Sequence, residues 1–164
     1  MSTTTTTRLP LAHLPSAVLP GATVTLTLST DELRRAVHAA TDNFGGRLLL
    51  TGGDEHDLGA VARVPNVGNL PTGEAAAIVR VEGRARMSAV HSESGSASLA
   101  DAELLIDGPT TSSTDAAVRE LRATLELIAE KRNSRRLPEL LRTVQDPGAL
   151  ADAVALWAEF ADDD

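Results

Sequence analysis

The stretch Leu9–Ser29, LPLAHLPSAVLPGATVTLTLS, decides the fold. In its second half Val24, Leu26 and Leu28 fall between Thr23, Thr25, Thr27 and Ser29. That alternation predicts a half-buried strand with β-branched threonines on its solvent face. Leu9–Leu11 opens an earlier strand, and Pro20-Gly21 is a turn joining the two. Ser29 stands three residues before Glu32, a capping-box spacing that starts a helix at once. Leu33, Ala36, Val37 and Ala40 then share one helical face, and Gly45-Gly46 ends it.

Further along, Arg47–Thr51 is a short apolar run and Leu58–Val64 a further strand. Leu70-Pro71-Thr72-Gly73 has hairpin chemistry, proline pre-setting one dihedral and glycine accepting a left-handed one. In the long alternating segment that follows, Ala77, Val79, Val81, Ala85 and Met87 point one way. Ile78, Arg80, Glu82, Arg84 and Arg86 point the other, and Gly83 marks a bulge or barrel corner. Ser88–Ser98 reads as a Ser/Gly loop, and Ala100, Ala102, Leu104 and Ile106 form a last strand. About six strands and one helix make a small closed or nearly closed sheet.

The pattern changes near Asp107. Asp107–Thr114, DGPTTSST, is rich in turn residues, and helical spacing follows it. Val118, Leu121, Leu125 and Ile128 stripe a helix starting near Asp115; Leu137, Leu140, Leu141 and Val144 stripe a shorter one. Asp146-Pro147 caps a third, with Leu150, Val154 and Trp157 on its inner face. The organisation is thus α+β: a tail over 1–7 expected to be disordered, a β domain over 8–108, a linker over 109–114, and a helical subdomain of three helices over 115–164, an incomplete bundle.

Composition narrows the chemistry. Hydrophobic residues make up 42% of the 164, enough for a core, yet aromatics only 2%. A formal charge of −8 repels a phosphate backbone, and so few aromatic rings offer little on which bases stack; nucleic acid is not an expected partner. There is no cysteine, hence no disulfide and no thiolate site, which fits a reducing cytoplasm. No run reaches the roughly 20 apolar residues that span a bilayer. Lys131 is the only lysine.

Candidate clusters have plainer readings beside them. Asp54-Glu55-His56-Asp57 is read as a solvated loop, because neighbours in a loop diverge while a structural zinc draws four spaced ligands. No metal site is assigned. His91-Ser92-Glu93 lies in a Ser/Gly stretch without the strand-turn-helix context of a nucleophile and is read as flexible linker. His13 and His38 are read as surface or boundary residues. Arg80, Arg84 and Arg86 form a basic strip broken by Glu82. Lys131, Arg132, Arg135 and Arg136 cluster near helix ends, where cations meet the helix dipole.

The ordered series of motifs resembles the N-terminal, substrate-binding region of the ATP-dependent Lon protease family, in an actinobacterial-looking version. An LPVLPL-type strand followed by VLFPG is matched by Leu9-Pro10-Leu11 and Val18-Leu19-Pro20-Gly21. The family's IGTVARI strand is matched by Leu58–Val64. Its LPDG…VEGLxRxRI signature is matched by Leu70–Gly73 and Val81–Met87, and its DPxxLADxxA segment by Asp146–Ala155. The stretch His13–Ser16 lacks the charged residues usual in the family.

The resemblance implies a PUA-like β-barrel followed by the start of a helical region, acting as a non-catalytic substrate-recognition and assembly domain in protein quality control. In the family, this region precedes an AAA+ ATPase and a serine-lysine peptidase. Neither is in these residues: no GxxxxGK[ST] run occurs, and Lys131 sits in the polar EKRNSRR segment, where a base lysine would not be desolvated. No catalytic residue and no cofactor is therefore assigned to this chain; ATP and Mg would bind the absent module. The implied partners are unfolded or damaged proteins and the remainder of Lon with its homo-oligomer, in the cytoplasm and away from membranes. The candidate substrate contacts are Val18, Leu19 and Pro20 at the first turn and Leu70 and Pro71 at the hairpin tip. Two alternatives stay open, a stand-alone protein of the same domain family and an RNA-binding PUA-like module.

Overall fold

The computed structural model describes residues 6–52 and 57–159. The chain divides into two compact units between Ile106 and Asp107. The first contains β1 (Thr6–Leu14), β2 (Thr23–Thr27), α1 (Asp31–Asn43), β3 (Arg47–Gly52), β4 (Leu58–Asn69), β5 (Ala75–His91) and β6 (Leu99–Leu105). Strand order is β2-β5-β4-β3-β1-β6, and a further β5–β6 pairing closes the sheet into a barrel. β1 and β3 run parallel, with Leu11 opposite Leu49; the other pairings are antiparallel.

Closure rests on β5, which is 17 residues long. One of its edges is taken by β4. The other is shared: Ala76–Arg80 pair with β2, and Arg84–His91 pair with β6. The strand bends between the two. Val61 faces Gly83 while Ala62 faces Val81, so Glu82 is the extra residue of a bulge beside the expected glycine. A second shift, between Met87 and Ala89, carries β5 on to His91, through part of the stretch read from sequence as a loop from Ser88. Inside, Leu9, Leu11, Leu49, Val61, Ala85, Ala100 and Ala102 form one cluster, with Phe44, Met87 and Leu104 packed on it. Alanine at several inward positions leaves room for a narrow barrel to fill without aromatic bulk.

Helix α1 buries Leu33, Ala36, Val37 and Ala40, the face expected. Its cap differs from the expectation by one residue. Thr30 Oγ1 accepts from Leu33 N at 3.2 Å, while Ser29 N–H donates back to Thr27 O at 2.8 Å. Glu32 makes no capping box because its carboxylate is used elsewhere, accepting from His13 N–H at 3.2 Å with the His13 ring nitrogen at 2.6 Å. Three further expectations are corrected. Thr6 and Thr7, assigned to the disordered tail, pair with Glu103 and Ala102. β4 runs past Val64 to Asn69 because the hairpin carries its pairing with β5 outward. Ile106 lies just beyond β6 and is 90% exposed, with no strand opposite it among the described residues.

The second unit holds α2 (Ser112–Arg132), α3 (Arg136–Thr143) and α4 (Pro147–Glu159). α2 starts inside the expected 109–114 linker, because Thr111 and Thr114 cap each other reciprocally. It ends at Asn133, whose φ of 49° is left-handed. Asp146 Oδ2 accepts from Ala149 N at 2.8 Å, and Pro147 takes the first helical position of α4. Leu125, Ala129, Leu137, Leu141 and Leu150 form the core of this unit, with Val154 and Trp157 beside it. Arg122 ties α2 to α3 by donating to the carbonyls of Leu141 and Val144, the orphan end of α3.

A charged clasp crosses the closing strands of the barrel. Arg8 on β1 faces Asp101 on β6 and donates twice to its carboxylate, at 2.6 and 3.2 Å. His91 Nε2 of β5 lies 2.9 Å from the same group. These hydrogen bonds, Arg8's first and His91's second, lower the Asp101 carboxyl from 3.8 to about 2. A carboxylate lowered on folding stabilises above its unfolded value and loses that contribution as pH falls through the folded one. Stability should therefore drop between about pH 4 and about pH 2, and Asp101→Asn should flatten the drop in chemical denaturation over that range. A second test concerns β3. A Cβ on Gly52 would collide with the backbone of Ser16 and Ala17. Gly52→Ala should cost about 1–3 kcal/mol and move the amide resonances of residues 16–19.

Candidate substrate-contact surface

The first turn is built by Leu19-Pro20-Gly21-Ala22. Ala22 N–H donates to Leu19 O at 3.2 Å, and Gly21 has φ of 86°. Proline at the second position and a left-handed glycine at the third suit this turn. Val18, Leu19 and Pro20 are half-buried. Val18 and Leu19 line a shallow cavity of about 220 Å³ with Leu50, Leu58 and Ala60.

The hairpin tip follows the same logic. Gly73 N–H donates to Leu70 O and Leu70 N–H to Glu74 O, both at 2.8 Å, and Gly73 has φ of 90°. Leu70 is half-buried and Pro71 exposed. Leu70 borders a second cavity, about 230 Å³, with Thr25, Asn66 and Ile78. Here the structure adds residues that sequence reasoning missed. Val67 and Ile78 are 46% and 39% exposed, and Val67 joins Leu28, Val37 and Ala75 in an apolar groove of about 410 Å³ between α1 and the hairpin. Val67 sits opposite the buried Ala77, so alternation alone would bury it. It is open because β4 continues there beyond the end of β3.

The two predicted patches do not meet. Gly21 N–H donates to Val81 O at one end of β2, and Leu28 N–H donates to Ala75 O at the other. The six residues between these bonds span roughly 20 Å of strand. First turn and hairpin tip therefore stand at opposite ends of β2.

The remaining candidates fall into structural roles or outside the description. His91 belongs to β5 and to the Asp101 clasp, not to a flexible linker. His13 is paired with Glu32, and His38 Nδ1 is 3.9 Å from Asp42. In the basic strip Glu82 divides the charge, accepting from Arg63 at 2.8 Å and lying 4.0 Å from Arg47. Residues 54–56 of the acidic loop lie outside the described residues. Among the described residues no three His, Asp or Glu side chains converge as metal ligands, and no helix is long and apolar enough to cross a membrane. Lys131 is exposed near the end of α2, and the Arg132 guanidinium lies 5.8 Å from the Trp157 ring centre.

Comparison with known proteins bears on the family and the fold. Residues 8–164 match the family described as the ATP-dependent protease La (LON) substrate-binding domain. A Lon protease of Mycolicibacterium smegmatis is 34% identical over 140 residues, covering 84% of this chain and 18% of that protein. A Lon protease of Salinispora arenicola is 32% identical over 159 residues, covering 93% and 20%. The chain thus spans about a fifth of the length of these curated relatives. Among solved structures, the N-terminal domain of a Mycobacterium avium complex Lon protease superposes with a TM-score of 0.79 at 28% identity, covering 90% of this chain and 81% of that one. A Lon N-terminal domain protein from Xanthomonas campestris shares the fold, with a TM-score of 0.58 at 17% identity over 92% and 98% of the two chains. The chain belongs to the substrate-binding domain family of the ATP-dependent protease Lon.

Proposed function

We propose that this chain is the non-catalytic recognition and assembly part of a Lon-type ATP-dependent serine endopeptidase, capturing unfolded or damaged proteins for degradation in the cytoplasm. The observation that carries the reading is the family match across residues 8–164, on a fold whose turns hold half-buried apolar side chains beside shallow cavities. Nucleotide, Mg and the peptidase dyad belong, on this reading, to the rest of such a protease, as does the homo-oligomer. Val18, Leu19 and Pro20, with Leu70 and Pro71, are the contacts proposed for clients. Apolar contact is non-directional, so it accepts varied unfolded chains where a hydrogen-bond code would reject most of them. Leu19→Glu and Leu70→Glu should each weaken binding of a permanently unfolded client in an anisotropy titration while changing stability by less than about 1 kcal/mol. Unchanged client affinity in both variants would remove these residues from the site.

A further inference from the structure

Several strand edges in the barrel have no strand beside them among the described residues, and they are not equally protected. On β1, the edge beyond the β6 pairing is plugged: His13 N–H donates to the Glu32 carboxylate, and Leu11 N–H to Ser98 O. On β4, the edge beyond β3 carries Pro65 at a register shift between Arg63 and Asn66. Carboxylate plugs, prolines and bulges are devices that stop an edge from recruiting another strand. β2 has none of them. Its five residues, TVTLT, are uncharged and strand-favouring, and β5 is its only strand neighbour among the described residues.

The hydrogen bonds at the two ends of β2 fix which groups face outward. Val81 N–H donates to Ala22 O, and Leu28 N–H donates to Ala75 O. Antiparallel pairing alternates, so Val24 and Leu26 bond to β5, while Thr23, Thr25 and Thr27 turn their backbone groups to the open side. Thr27 O is satisfied by Ser29 N–H. Thr23 and Thr25 are exposed, with no backbone partner on that side among the described residues.

We propose that the open edge of β2 receives an extended segment of an unfolded client as an added strand. This rests on the client-recognition reading and gives it a binding mode. Backbone pairing is blind to side chains and available to any extended chain, as low-specificity capture needs. A chain laid along β2 would also run between the turn at Val18–Pro20 and the hairpin at Leu70, which stand at its two ends. One edge would thereby link the two separated apolar patches.

Thr25→Pro removes an outward N–H and leaves the ladder to β5 intact, a position where an edge strand tolerates proline. Thr25→Val keeps the N–H. The probes are reduced carboxymethylated α-lactalbumin and a peptide alternating valine and threonine, the latter also N-methylated at every second residue. Thr25→Pro should bind both unmethylated probes about ten-fold more weakly, Thr25→Val should match the parent chain, and the N-methylated peptide should fail to bind the parent chain. If Thr25→Pro does not fold, the N-methylated peptide decides. Equal affinity for the methylated and unmethylated peptides overturns the added strand and leaves client recognition standing. A parent chain that binds neither probe overturns both readings. A dimer that Thr25→Pro dissolves, without probe binding, assigns the edge to a second copy and overturns the proposal.

Discussion

The first unit depends on one strand being longer than any of its partners. β5 must offer a full edge to β4 and, on its other side, serve β2 and then β6. A straight 17-residue strand could not follow the curvature of a small barrel. The extra residue at Glu82, next to Gly83, supplies the bend, and the second shift near Ser88 turns the last part onto β6. Without those two irregularities β6 would miss its second partner, and the interior cluster around Leu11, Leu49 and Ala102 would open to water.

Closure is then reinforced by polar groups at the seams. The Arg8–Asp101–His91 clasp spans β1, β6 and β5, while Glu32 reaches from α1 to the edge of β1. Half-exposed ion pairs add little stability singly. Their value lies in register: a one-residue slip of β6 would carry Asp101 to the other face of the sheet, away from Arg8. The helical unit uses the same device, Arg122 holding the carbonyl end of α3.

The surface gathers no three His, Asp or Glu side chains as metal ligands among the described residues. It offers instead half-exposed leucines at two turns, an apolar groove beside α1 and an unguarded strand edge. These features suit binding by backbone and by apolar area, the two properties that unfolded chains share whatever their sequence.

Much of this was legible in the residues. Alternation at Val24–Leu28 and Ala77–Met87, the glycines at 21, 73 and 83, and the Asp146-Pro147 start of α4 are local rules, and local rules act before the chain is folded. The ordered motifs also carried the family. What they could not carry was set by distant partners. Glu32 left the capping box for a strand 19 residues away, so Thr30 became the cap. Thr6 and Thr7 joined a strand because Glu103 and Ala102 were there to pair with them. Val67 stayed exposed because β4 outran β3. The placement of the candidate contacts was tertiary as well: turn chemistry determined that Leu19 and Leu70 stand at tips, but only the pairing of β2 with β5 put those tips at opposite ends of one strand, because register between distant segments is decided by closure of the barrel and not by either segment alone.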